Sequence, residues 1–257
     1  MKKYGLKLWS INKNYVDIAK DLYSRKIYDY IELYAVPSTF KEYAHLWKGL
    51  NIPYIIHAPH FMHGLNFSNY EQEKENFAIA FEAFKYADFL QAEKVIFHPG
   101  IKGDYKETVR QINKLKDERI LIENKPKNVA VTNEYLTPDD VCVGYDFTQI
   151  SYILENTGVR LCLDIGHATC AANSMGIDYK LQLKDFIKLN PYMYHISDGD
   201  ISSGVDKHYH IGSGSYDFNT IFSLIPKDAV ISIETEKDSK ENLDDFIEDV
   251  KKLKAYN

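Results

Sequence analysis

The chain has 257 residues, 45% hydrophobic and 26% charged, which is the balance of a folded globular protein and excludes a disordered one. A formal charge of −6 argues against a surface built throughout to grip nucleic acid, and no apolar run reaches the ~18 residues of a membrane span. Cys142, Cys162 and Cys170 form neither a CxxC pair nor an even framework, the usage expected of a reducing cytoplasmic compartment. No apolar stretch follows Met1-Lys2-Lys3, so no signal peptide is expected.

Short apolar runs alternate with amphipathic stretches from end to end. Strands are predicted at Tyr4–Trp9, Tyr30–Tyr34, Tyr54–His57, Val95–His98, Ile120–Glu123, Val159–Asp164, Met193–Ser197 and Val230–Glu234. Their interiors are rich in Val, Ile, Leu and aromatics with little strict alternation, the pattern of strands buried on both faces. Helices are predicted at Glu71–Gln91, Asp104–Lys116, Phe147–Glu155 and Asp238–Lys254, with Asn156-Thr157-Gly158 as a stop signal. Strand–helix alternation of this kind predicts α/β architecture in one domain over residues 1–257, a single (β/α)₈ TIM barrel. An open doubly wound sheet would place a glycine-rich turn after the first strand, and Leu8-Trp9-Ser10-Ile11-Asn12 has none. The long connections Lys125–Tyr145 and Asp198–Asp217 fall after strands, on the face where barrels carry their chemistry, and are candidate substrate loops.

Metal-capable residues gather at the same strand ends. His57, His98, Glu123, Asp164, His195 and Glu234 lie at or near the ends of the third to eighth strands; His167, Asp206 and His208 follow in adjoining loops. Parallel strands point all their C-termini to one face, so nine donors converge on one mouth. Any one of them alone reads as a polar group meeting solvent. Together they would bury charge at a cost that divalent cations relieve. Five imidazoles and four carboxylates without a thiolate suit Zn²⁺, and also Mn²⁺ or Fe²⁺. Nine donors exceed the demand of one ion, so two to three ions are expected. His45 reads as solvated, His60 and His63 can meet substrate, and His210 is close enough to support a ligand.

In order along the chain stand Ile56-His57-Ala58-Pro59, Ile96-Phe97-His98-Pro99-Gly100, Leu121-Ile122-Glu123-Asn124, Cys162-Leu163-Asp164-Ile165-Gly166-His167-Ala168, Asp206-Lys207-His208-Tyr209-His210-Ile211-Gly212-Ser213-Gly214 and Ile233-Glu234-Thr235. With these fragments the sequence resembles the endonuclease IV family of apurinic/apyrimidinic endonucleases, which are three-zinc TIM barrels. The resemblance implies a first zinc on His57, His98 and Glu123. A second would take Glu123, Asp164, His195 and Glu234, and a third His167, Asp206 and His208. Glu123 would bridge the first pair, and Glu123, Glu234 and His195 would form the catalytic centre. The chain departs from the family where substrate would lie. Ala35–Asn51, where the family holds a DNA-recognition loop, is shorter; His60-Phe61 only loosely matches an aromatic intruder; Lys125-Pro126-Lys127 and Ser10-Ile11-Asn12-Lys13-Asn14 replace small or glycine-rich segments.

The resemblance therefore implies a metal-dependent phosphodiesterase acting on DNA with an abasic site, or on a smaller phosphorylated substrate, as a cytoplasmic monomer without a membrane partner. Lys13, Lys125, Lys127 and Lys207 could meet further phosphates. The chain also resembles xylose isomerase-like sugar isomerases and epimerases. Their single metal would take Glu123, Asp164, His195 and Glu234, with Glu123 and Glu234 as acid and base. Those four residues serve both readings; His57, His98, His167, Asp206 and His208 favour the phosphodiesterase.

Overall fold

The computed structural model describes residues 1–129 and 136–256, so residues 130–135 of the Lys125–Tyr145 connection lie outside the described residues. Eight parallel strands close into a barrel: β1 (Lys3–Trp9), β2 (Tyr30–Tyr34), β3 (Tyr54–His57), β4 (Val95–Phe97), β5 (Ile120–Glu123), β6 (Arg160–Asp164), β7 (Met193–Ile196) and β8 (Val230–Ile233). Each pairs with the next in sequence, and β8 closes on β1, where Leu6 stands between Ile31 and Ile233. Outside pack α1 (Val16–Ser24), α2 (Phe40–Lys48), α3 (Glu73–Leu90), α4 (Tyr105–Leu115), α5 (Phe147–Thr157), α6 (Ile165–Met175), α7 (Tyr179–Lys188), α8 (Phe218–Leu224) and α9 (Asp244–Lys254). None of these is long and apolar enough to cross a membrane.

The barrel interior is layered by the two-residue period of its strands. Tyr30, Ile55, Ile96, Leu121, Cys162 and Met193 fill one level as a closed apolar cluster. Gly5 completes it, because a Cβ there would lie 2.3 Å from the Tyr30 ring. Two residues further along each strand the interior turns polar: Lys7, Glu32, His57, His98, Glu123, Asp164, His195 and Glu234. The apolar level is thus a floor, and the polar level faces the mouth.

Several predicted boundaries move by one or two residues. β4 stops at Phe97 and β8 at Ile233, so His98 and Glu234 sit just past their strands, where the chain turns toward the mouth. Asn69 caps a short 3₁₀ turn at Tyr70–Gln72, so α3 begins at Glu73. Asp104 caps α4, and Gly158, in the left-handed conformation, ends α5 two residues beyond the predicted Glu155. The last helix starts at Asp244 and not Asp238, because the Asp238 backbone N–H donates to the Asp245 carboxylate and its own carboxylate faces His210. Within Ala35–Asn51, nine residues form α2, so the segment serves the barrel wall.

Candidate metal centre

The nine expected donors do converge, and the fold places them in three groups. In the first, His57 Nε2 and His98 Nε2 each lie 3.1 Å from Glu123 Oε2. Donors held at ~2.0–2.1 Å by a tetrahedral ion are about 3.3 Å apart, so this spacing is that of ligands sharing one ion. His57 Nδ1 lies 2.7 Å from the Ala58 carbonyl and donates to it. In a neutral ring that leaves a lone pair at Nε2, aimed at a carboxylate oxygen. A lone pair there and the carboxylate oxygen would both be acceptors, an arrangement that a shared cation would resolve.

The second group centres on His195, which is fully buried. Its Nδ1 lies 2.6 Å from Glu234 Oε1, 3.4 Å from Glu123 Oε2 and 3.9 Å from Asp164 Oδ2, yet has no aligned hydrogen bond. Its Nε2 lies 2.9 Å from Glu32 Oε2, so a carboxylate fixes the ring from behind. Burial opposes a charge on His195, but Cys162 and the carboxylates of Glu234, Glu32 and Glu123 hold its pKa well above the usual range. The surrounding carboxylates thus favour positive charge at this place, whether a proton or a bound cation supplies it. Cys162 also approaches Glu123 and His195, but burial pushes its thiol up to about 12, which keeps it a weak ligand.

The third group is built on α6. Asp164 ends β6 and caps that helix, its Oδ1 accepting the His167 N–H at 2.6 Å, which sets His167 one turn in and beside it. His167 Nδ1 lies 2.9 Å from the Asn124 carbonyl, leaving Nε2 to face Asp206 Oδ2 at 3.5 Å. His208 Nε2 is 2.9 Å from the same oxygen, which has no aligned hydrogen bond of its own. Burial works against a charged His208, but Asp206 raises its pKa to about 9. Burial pushes the Asp164 carboxyl up to about 6, with Asp206, Glu234 and Glu123 adding to this against His167. Asp198 organises the loop that delivers Asp206 and His208: its buried carboxylate accepts from the N–H groups of Gly199, Gly212, Gly214 and Tyr216.

Glu123 turns Oε2 toward the first and second groups and Oε1 toward His167 Nδ1, 2.9 Å away. Several expectations need correction. His210 supports no ligand; it faces Asp249 at 2.8 Å and Asp238 at 3.2 Å, tying its loop to α9. His208 has a left-handed backbone, φ +49°, so the chain bends there and His210 points away. Phe61 is no protruding wedge, since it packs on the cluster of Ile101, Val129, Leu136 and Cys142. The cavity at the mouth, about 460 Å³, is lined by Lys7, Lys125 and Lys237 but not by Lys13, Lys127 or Lys207. His60 and Trp9 line it too, Trp9 stacked on Tyr34 at 5.0 Å, and Tyr34 Oη lies 2.6 Å from His63 Nδ1. His45 is exposed on α2, as expected.

Two residues of the site, Lys7 and Glu32, are not singled out by the sequence, and a third, Lys125, is buried more deeply than a loop lysine suggests. Lys7 pairs with Glu234 and lies 3.3 Å from Glu32. Glu32 is fully buried and also receives the Ser232 hydroxyl. Lys125, expected as a contact for phosphate, is 6% exposed, with its Nζ among His98, His167 and Glu123. The signal for Lys7 and Glu32 was present: each lies two residues after the barrel-interior positions Gly5 and Tyr30, on the same inward face.

A family model described as xylose isomerase-like TIM barrel (AP_endonuc_2) matches residues 2–256. The chain is 28% identical over 188 residues to a probable endonuclease 4 of Mycoplasma capricolum subsp. capricolum, covering 66% of this chain and 62% of that protein. It is 25% identical to an uncharacterized protein of Methanocaldococcus jannaschii, over 81% of this chain and 80% of that one. The chain thus spans less than two thirds of the endonuclease it matches. Among solved structures, endonuclease IV from Thermus thermophilus superposes with a TM-score of 0.71 at 20% identity, over 99% of this chain and 98% of that one. A D-tagatose 3-epimerase-like protein superposes with a TM-score of 0.72 at 18% identity, over 99% and 96%. At these identities the superpositions show the fold alone.

Proposed function

Since the chain belongs to the xylose isomerase-like TIM barrel family, we propose that it is a metal-dependent phosphodiesterase resembling endonuclease IV, a cytoplasmic, monomeric single-domain enzyme acting on abasic DNA or a smaller phosphodiester. One observation carries the reading: His167, Asp206 and His208 form a donor group of their own, beyond the four ligands that a one-metal isomerase requires. The donor chemistry favours zinc, two to three ions at saturation, with manganese or iron as alternatives.

Divalent ions in these groups would activate water at neutral pH and offset charge on phosphoryl oxygens. The residues do the rest. Glu123, buried at the centre, joins the first two groups through one oxygen. His195, braced by Glu32, and Glu234, held by Lys7, fix the second group in one geometry. Trp9, Tyr34 and His60 wall the cavity on one side. Lys7, Lys125 and Lys237 give that cavity a local positive charge that the acidic whole lacks.

The test is cleavage of a single-site abasic duplex, its single-stranded form and bis(p-nitrophenyl) phosphate by the zinc-loaded protein. Metal-dependent turnover of any of them supports the reading, and none at full loading overturns it. A sugar isomerase or epimerase with one ion on Glu123, Asp164, His195 and Glu234 is the second reading. It is favoured by the position of Lys125, which crowds the imidazoles of the other two donor groups and touches this one only at a carboxylate, Glu123. Interconversion of aldose and ketose in place of phosphodiester cleavage would establish it.

A further inference from the structure

Lys125 is held where it cannot easily leave the site. It precedes Pro126, which restricts its backbone to extended conformations. Its N–H donates to the Gly144 carbonyl at 2.9 Å, and the Cys142 N–H donates back to Lys127 at 3.0 Å. This short antiparallel strip anchors Lys125 beside the barrel mouth with its side chain buried inside. Nζ then lies 3.4 Å from His98 Nε2, 3.3 Å from His167 Nε2 and 3.5 Å from Glu123 Oε1.

Those two imidazole nitrogens are the donor atoms of the first and third groups. A neutral imidazole nitrogen has one lone pair, so it can accept from an ammonium or bind an ion, but not both. A carboxylate has about four acceptor sites and can do both at once. This separates Lys125 from Lys7, whose contacts in the second group are only with carboxylates. Charge points the same way. Five carboxylates, Glu32, Glu123, Asp164, Asp206 and Glu234, share the mouth with two ammonium groups, Lys7 and Lys125, so one divalent ion already offsets most of the remaining negative charge.

We propose that the Lys125 ammonium competes with divalent ions for the first and third donor groups, so that this chain holds one ion firmly in the second group and admits others only as that ammonium withdraws. The inference rests on the metal-centre reading but not on the reaction assigned to it.

The test counts ions without any substrate. Protein loaded with Zn²⁺ is dialysed against metal-free buffer, and the retained zinc is measured by elemental analysis; calorimetric titration gives the affinities. The wild type should retain one ion per chain, and His195→Ala should lose it while His98→Ala keeps it. Lys125→Met should retain more than one, with the later ions bound at least about tenfold more tightly, because a like charge within a few ångströms has gone. Lys125→Gln, which also lacks the charge but keeps a polar end, should behave the same way. Circular dichroism checks that both variants fold. A wild type that retains two or three ions, or neutral variants that bind no more tightly than the wild type, overturns the proposal. Phosphodiesterase assays do not enter, so failure of the functional reading and failure of this one are separable.

Discussion

Replacing Glu32 with Gln tests the second donor group from behind. Glu32 hydrogen-bonds one expected ligand, His195, whose Nε2 lies 2.9 Å from its Oε2 while Nδ1 faces Glu123, Asp164 and Glu234. The glutamine carbonyl can still accept that N–H, so the ring should keep its orientation. What goes is the negative charge that makes the imidazole a stronger donor and that helps restrain Lys7 at 3.3 Å. Losing such a partner costs metal affinity ~10–100-fold, or about 1.4–2.7 kcal/mol at a factor of ten per 1.36 kcal/mol. Glu32 is fully buried and the Ser232 hydroxyl donates to it, so solvent cannot supply a substitute charge. Competition against a chromophoric zinc chelator reads the affinity directly. An affinity within twofold of wild type in a folded protein would refute the idea that the strand-β2 carboxylate tunes the metal centre.

Other perturbations separate the remaining claims. Asp206→Asn with His208→Ala should cut phosphodiesterase turnover ~10³-fold by removing the third donor group, whereas any sugar-isomerising activity should survive; full phosphodiesterase activity with unchanged zinc content would remove both residues from the site. Gly5→Ala should destabilise the barrel by about 1–3 kcal/mol in urea unfolding, since its Cβ would meet the buried Tyr30 ring at 2.3 Å. His210 gives a pH signature: burial opposes its charge, but Asp249 and Asp238 raise its pKa above the ordinary 6.5. Its contribution to stability is therefore complete below about pH 6.5 and fades as pH rises through the raised value; melting temperatures of wild type and His210→Gln should converge at alkaline pH, and a constant gap would contradict the pairing.

The eight strands were legible because burial on both faces leaves continuous apolar runs, and the barrel followed from their alternation with helices. The donors were legible because they end those runs. What the sequence hid depended on period and on distance along the chain. Lys7 and Glu32 lie inside strands, where attention to strand ends passes them over, although Gly5-Leu6-Lys7 and Tyr30-Ile31-Glu32 place a charge on the inward face. The position of Lys125 depends on pairing with residues 142–144, a contact that no local pattern announces. His210 was misjudged because the left-handed turn at His208 breaks the alternation that would have kept the two rings on one side.

Each of the eight strands contributes one inward residue to the polar level, and an apolar level closes off the barrel beneath most of them. Reactivity and folding are therefore written on different storeys of the same strands. A substitution at one address in the upper storey changes the charge or ligand offered there while its neighbours keep their backbone supports. Such a barrel is modular in the sense of a keyboard: a single exchange alters the charge offered at one address, and Lys7, Glu32 and Lys125 are the keys by which this chain differs from a plain assembly of candidate donors.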